Sequence, residues 1–101
     1  MKSTNQTVFV SAKVLAKPGF TEKVRAACLA LVEPSRRDRG CISYELFQSA
    51  SEPELFLFFE EWETMEDIEN HLDEPHSLEF DRATEGMLRE DEEIVFLKRI
   101  S

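Results

Sequence analysis

Glu60, Trp62, His71 and His76 are the side chains of this 101-residue chain best suited to chemistry on a small molecule, for they include its only tryptophan and both histidines. Imidazole has an unperturbed pKa of ~6.5, so a histidine can accept and return a proton near neutral pH. A carboxylate two residues before the indole can orient such a base or accept a hydrogen bond from a ligand hydroxyl. Trp62 can stack on an aromatic ring and offer its N–H. Together these groups suit general-base chemistry in a single pocket. Each also has an ordinary reading: Trp62 as a core residue, His71 on a half-exposed helix face, His76 as a structural donor near a helix start, Glu60 as one solvated charge in an acidic stretch.

Two histidines and a carboxylate also compose the donor set of a mononuclear iron site. His71 and His76, however, are five residues apart with Pro75 between them. That is not the i, i+4 spacing of one helical face, and it argues against a metal. Cys28 and Cys41 form no CxxC pair and have no histidine at ligand spacing, so each is expected to serve as a small core hydrophobe. No phosphate-binding glycine motif is present. The expectation from these residues is a chain without metal or flavin.

The elements that must position these residues alternate in period. Thr7 to Lys17 places Val8, Val10, Ala12 and Val14 on one strand face, and Pro18-Gly19 breaks it. From Phe20 a helical stripe follows (Val24, Ala27, Cys28, Leu31, Val32), with Pro34 expected to kink or end the helix and Gly40 to close the turn. Cys41 to Ser49 is a second strand with Ile42, Tyr44 and Leu46 on one side, and Glu54 to Glu63 a third, joined by a turn short enough to require an antiparallel hairpin. Strand parity puts Phe56, Phe58, Glu60 and Trp62 together. Thr64 and Asp67 form a capping signature for a helix that should turn Met65, Ile68 and Leu72 inward. Pro75 suits the first turn of another helix, with His76, Phe80, Ala83 and Met87 on its inner side. "EEIVFLKRI" closes the chain as a fourth strand.

The order βαββα(α)β predicts a ferredoxin-like α+β fold, an antiparallel sheet with helices on one face, in one domain spanning 1–101 with an ordered core over about residues 7–100. In it Val10, Ala12, Tyr44, Phe58, Phe80 and Met87 are the expected apolar walls of a ligand cavity that Glu60, Trp62, His71 and His76 complete. The runs Leu55-Phe56-Leu57-Phe58-Phe59 and Ile94-Val95-Phe96-Leu97 are apolar on both faces, although a sheet with one wet face should alternate. Burying each such side chain is worth ~1.5–3 kcal/mol. A second copy of the sheet is the natural cover, and the chain is expected to be a homodimer.

Net charge bounds the partners. The formal value of −9 opposes nucleic acid and anionic membrane surfaces. The polar start of the chain lacks the apolar centre of a secretory signal, and no run is long enough to span a bilayer, so a cytoplasmic location is expected. Arg36, Arg37 and Arg39 read as a solvated helix end, and Glu90 to Glu93 as a soluble loop.

The segments "KVLAKPGFTEKV", "LVEPSRRDRGCISYELFQS", "FEEWETMEDIENHLDEPH" and "EFDRA" resemble, in order and spacing, the antibiotic biosynthesis monooxygenase domain family. The resemblance covers nearly the whole chain and is most specific at Gly40-Cys41-x-x-Tyr44 and from Glu60-x-Trp62 to Pro75-His76. It implies a dimeric ferredoxin-like barrel with a cavity between sheet and helices, bordered by Glu60, Trp62, His71, Pro75 and His76. The family includes small monooxygenases that oxidise phenols or quinols without flavin, haem or metal, haem-degrading enzymes, and an isomerase. The quinol-monooxygenase-like and signal-processing members are the nearest in pattern. Ala12 and Asp81 fall at or beside the Asn and axial His positions of the haem-degrading branch, which argues against haem. What the resemblance implies is a cofactor-independent oxygenase with His71 or His76 as base, Glu60 beside it, and Trp62 against the ring of a phenolic or quinol-type substrate. An isomerase or a non-catalytic binding module would need the same parts.

Overall fold

The computed structural model describes residues 6–89 and 93–101. Its order is β1 (Val8–Leu15), α1 (Thr21–Arg36), β2 (Cys41–Gln48), β3 (Leu55–Trp62), α2 (Met65–Leu72), α3 (Pro75–Thr84) and β4 (Glu93–Leu97). The strands form one antiparallel sheet in the order β2-β3-β1-β4. This is the ferredoxin-like α+β arrangement. Of the expected loop Glu90 to Glu93, residues 90–92 lie outside the described residues, Glu92 at the expected start of the last strand among them, and Glu93 belongs to β4.

Alternation along β3 decides which face is which. Phe56, Phe58, Glu60 and Trp62 are buried, while Leu55, Leu57, Phe59 and Glu61 between them are half-buried. Pairing carries this parity across the sheet. Glu60 lies opposite Val10 on β1 and Tyr44 on β2, and Phe58 lies opposite Ala12 and Leu46. The helices cover this face. The core beneath them includes Trp62, Tyr44, Phe56 and Phe58, each at most 2% exposed, and burial of each contributes ~1.5–3 kcal/mol. The opposite face carries Phe9 stacked on Phe59 at 5.9 Å, with Phe47, Val95 and Leu97 41–52% exposed. Strand β4 is an edge strand with every residue exposed.

Three local expectations need correction. Pro34 does not end α1, which continues to Arg36; in the last turn a proline forfeits one hydrogen bond, and the Pro34 carbonyl still accepts from Arg37. Ile42 is 47% exposed and does not share the covered side with Tyr44, because the β2–β3 register shifts between Cys41 and Ser43. In α2, Met65 and Leu72 are exposed, and the buried stripe is Asp67, Ile68 and His71.

That rotation has a visible cause. The Thr64 hydroxyl oxygen accepts from the Asp67 backbone N–H at 3.0 Å, and its O–H donates to Asp67 Oδ2 at 2.9 Å. Asp67 is thereby held inward against Gly40, whose φ of +81° and missing Cβ make room for the carboxylate. No helix among the described residues is long and apolar enough to cross a membrane.

Candidate functional site

A cavity of about 280 Å³ opens between the covered sheet face and the helices. Its floor is Val10, Ala12, Tyr44 and Glu60 from the sheet; Leu31, Ile68, Leu72 and Phe80 wall it from the helices; His71, Ser77 and Asp81 bring polar groups; Ile94 and Phe96 of the exposed strand β4 complete the lining. The expected wall residues Ala12, Tyr44 and Phe80 therefore line it. So do Glu60 and His71.

The other expected site residues are nearby but differently placed. Trp62 is fully buried and does not line the cavity. Its Nε1–H donates to Glu60 Oε1 at 2.8 Å, so the indole supports the carboxylate from behind. Phe58 is 1% exposed and lies in the core, tilted against Tyr44 and edge-on to Phe80. Met87 falls beyond the end of α3, where its carbonyl accepts from Lys17 N–H and its side chain packs on the core rim. His76 lines a separate hollow of about 140 Å³ between α1 and α3.

What joins the two histidines is a residue that sequence reasoning passed over. Asp38 Oδ2 accepts from His71 Nδ1 and from His76 Nε2, each at 2.7 Å. Asp38 sits in the turn after α1, where its N–H donates to the Ser35 carbonyl and its own carbonyl accepts from Cys41 N–H. His76 reaches it because the chain turns sharply at Pro75. Glu74 N–H donates to the His71 carbonyl, and Ser77 Oγ donates to that same carbonyl at 2.7 Å, tying the start of α3 to the end of α2. The five-residue spacing thus separates the histidines along the helices without separating them in space: their ring centroids are 5.9 Å apart.

The hydrogen bonds also set the protonation pattern. Burial holds the His71 pKa below the usual histidine value, outweighing the hydrogen bond and charge of Asp38, which raise it. A neutral His71 that donates from Nδ1 keeps Nε2 as its basic nitrogen. Its ring packs 4.8 Å from Trp62 and 5.6 Å from Tyr44, which limits its rotation. A buried imidazole oriented by a carboxylate has the form that general-base chemistry requires.

Burial, with Glu60 and Asp38 nearby, pushes the Cys41 thiol up to about 11, and Cys28 is fully buried. Asp38, His71 and His76 are the described residues able to converge on a cation, with donor atoms within 4.8 Å of one another. Those atoms already satisfy one another at hydrogen-bond distance.

The chain's relatives agree with this architecture. The family model described as antibiotic biosynthesis monooxygenase matches residues 7–83. A Mycobacterium tuberculosis protein, named as a candidate monooxygenase, is 36% identical over 81 residues, which is 80% of this chain and 78% of that protein. An uncharacterised Synechocystis protein is 31% identical over 98 residues, 97% of this chain and 67% of its own length. The crystal structure of a Pseudomonas aeruginosa protein superposes with a TM-score of 0.92 at 31% identity, covering 99% of this chain and all of that one. With the family model spanning most of the chain and the fold shared end to end, this protein belongs to the antibiotic biosynthesis monooxygenase family.

Proposed function

We propose that this protein is a cofactor-independent monooxygenase that oxidises a phenolic or quinol-type small molecule in the cavity between sheet and helices. The observation that carries the reading is His71, which lines the cavity while its Nδ1 is committed to Asp38. His71 Nε2 takes the substrate hydroxyl proton, and Asp38 stabilises the imidazolium that results. Glu60, fixed by the Trp62 N–H, orients the hydroxyl. The phenolate then reduces oxygen directly: a ring carbon–oxygen bond forms, the O–O bond breaks, and one oxygen atom stays on the ring as a quinone carbonyl while the other leaves as water. The electrons come from the substrate, so no metal, flavin or haem takes part. The apolar walls limit water around the anion.

The working form in this reading is a homodimer built sheet to sheet, supported by the uncovered Phe47, Val95 and Leu97. A cytoplasmic setting is part of the same reading.

The test is oxygen uptake with a panel of hydroquinones and para-unsubstituted phenols, with quinone followed by absorbance. His71→Ala should lower turnover by ~10²–10⁴. His76→Ala, which reaches the cavity only through Asp38, should cost less. Protein with bound metal or a flavin band in proportion to its activity would overturn the mechanism. Ligands that raise the melting temperature without oxygen uptake would assign the cavity to an isomerase or a binding module instead.

A further inference from the structure

Charge around the cavity is one-sided. Buried Glu60 and exposed Asp81 both line it, and no lysine or arginine does. Among the described residues Asp81 has no ion-pair partner. Its neighbour Arg82 is instead bound to Glu79 through two contacts of 3.0 and 2.6 Å, and Arg89 reaches Glu52. His71 is held neutral by burial and adds no positive charge. The whole chain carries −9, so the long-range field has the same sign as the rim. At about 280 Å³ the cavity lies at the small end of ligand sites, which run from ~300 Å³ upwards, and suits a single-ring ligand.

We infer that the cavity selects a phenol carrying an ammonium group, with Asp81 as the residue that recognises the cation. The aromatic body lies between Phe80 and the Val10–Ala12 floor. The phenolic hydroxyl reaches Glu60 and His71, and the ammonium meets Asp81 at the rim. A carboxylate in the same place would face Asp81, with no lysine or arginine among the lining residues. The hydroxyl end of this pose rests on the proposed function; the selection by charge does not.

The experiment uses three phenols of similar size: tyramine, 4-ethylphenol and 4-hydroxyphenylpropionate. Dissociation constants are measured by calorimetry at low and at moderate salt. At an exposed rim, attraction and repulsion are each worth a few-fold, so the ammonium phenol should bind about tenfold tighter than the carboxylate one, with the neutral phenol between. Added salt should narrow the spread. Asp81→Asn should bring tyramine to the affinity of 4-ethylphenol, and Asp81→Lys should reverse the order. Asp81 is exposed, so both variants should fold. Equal affinities across the three, or an order that survives Asp81→Asn, would overturn the inference while leaving oxygenation standing. The charge order, together with no oxygen uptake from the hydroquinone panel, would overturn oxygenation and uphold the inference. If none of the three binds at millimolar concentration, the inference is wrong, and oxygenation is decided by the hydroquinone panel alone.

Discussion

Replacing Asp38 tests the site directly and needs no substrate. One carboxylate oxygen satisfies two imidazole N–H groups at 2.7 Å. In Asp38→Ala both donors lose their acceptor. His71 is 4% exposed, so its Nδ1–H incurs most of the cost of an unsatisfied buried donor, ~1–3 kcal/mol. His76 is 18% exposed and can be hydrated in part, so its share is smaller. The sum is about 2–4 kcal/mol, or a fall in melting temperature on the order of 10–30 °C for a domain of this size. Asp38→Asn keeps an oxygen acceptor of the same shape and loses only the charge, so it should cost roughly half as much. The two variants also have a second signature. Because Asp38 raises the His71 pKa against the effect of burial, its removal should move the His71 titration, followed by proton NMR, to still lower pH. Urea denaturation at pH 7.5 gives the energies. Equal stability of the alanine and asparagine variants, or a loss below ~0.5 kcal/mol in both, would show that Asp38 does not hold the two rings.

Other consequences can be measured alongside. Gly40→Ala should cost ~2–3 kcal/mol, from the left-handed backbone and from displacing Asp67 off the Thr64 cap, whereas Gly19→Ala, with a similar φ and open space around it, should lose only the backbone part; paired urea titrations compare them. His71 titrates lower in the folded state than the ~6.5 of an unfolded chain. The unfolded state therefore binds more protons as the pH drops below 6.5, and stability that is complete above that value should fall through the window down to the folded pKa. Asp38, His76 and Glu74 are the charged neighbours that bear on it, and urea midpoints rising between pH 7.5 and 5.5 would contradict the burial argument. Light scattering should give about twice the 11.7 kDa chain mass, and Leu97→Asp, on the uncovered sheet face, should yield a folded chain of single mass; an unchanged mass would place any interface elsewhere.

The fold was legible because its signals are periodic. Strand parity grouped Phe56, Phe58, Glu60 and Trp62 on one face, and the structure buries all four, although a run apolar on both faces did not itself say which face the helices cover. The same logic misjudged α2. A hydrophobic stripe selects Met65 and Leu72, yet the helix turns Asp67 and His71 inward, because a cap bond and the space at Gly40 outweigh two apolar side chains that can remain half-covered at the rim. Polar burial of this kind depends on partners distant in sequence, and no local period announces it.

The position of the site shows the same limit in sharper form. Asp38 stands between arginines in "SRRDRGC", where it reads as one more surface charge, and it is 33 and 38 residues from the rings it binds. The available hint was an acid in a glycine-closed turn leading into the strand that carries Tyr44. Trp62 erred in the opposite direction. Its rarity and its parity with Glu60 pointed to ligand contact, but an indole that finds an internal acceptor can be buried completely. The cavity consequently presents a carboxylate steadied by the indole, and an imidazole steadied by a second carboxylate. Both supports lie one layer behind the cavity lining, so the groups facing a ligand are held in place before it arrives.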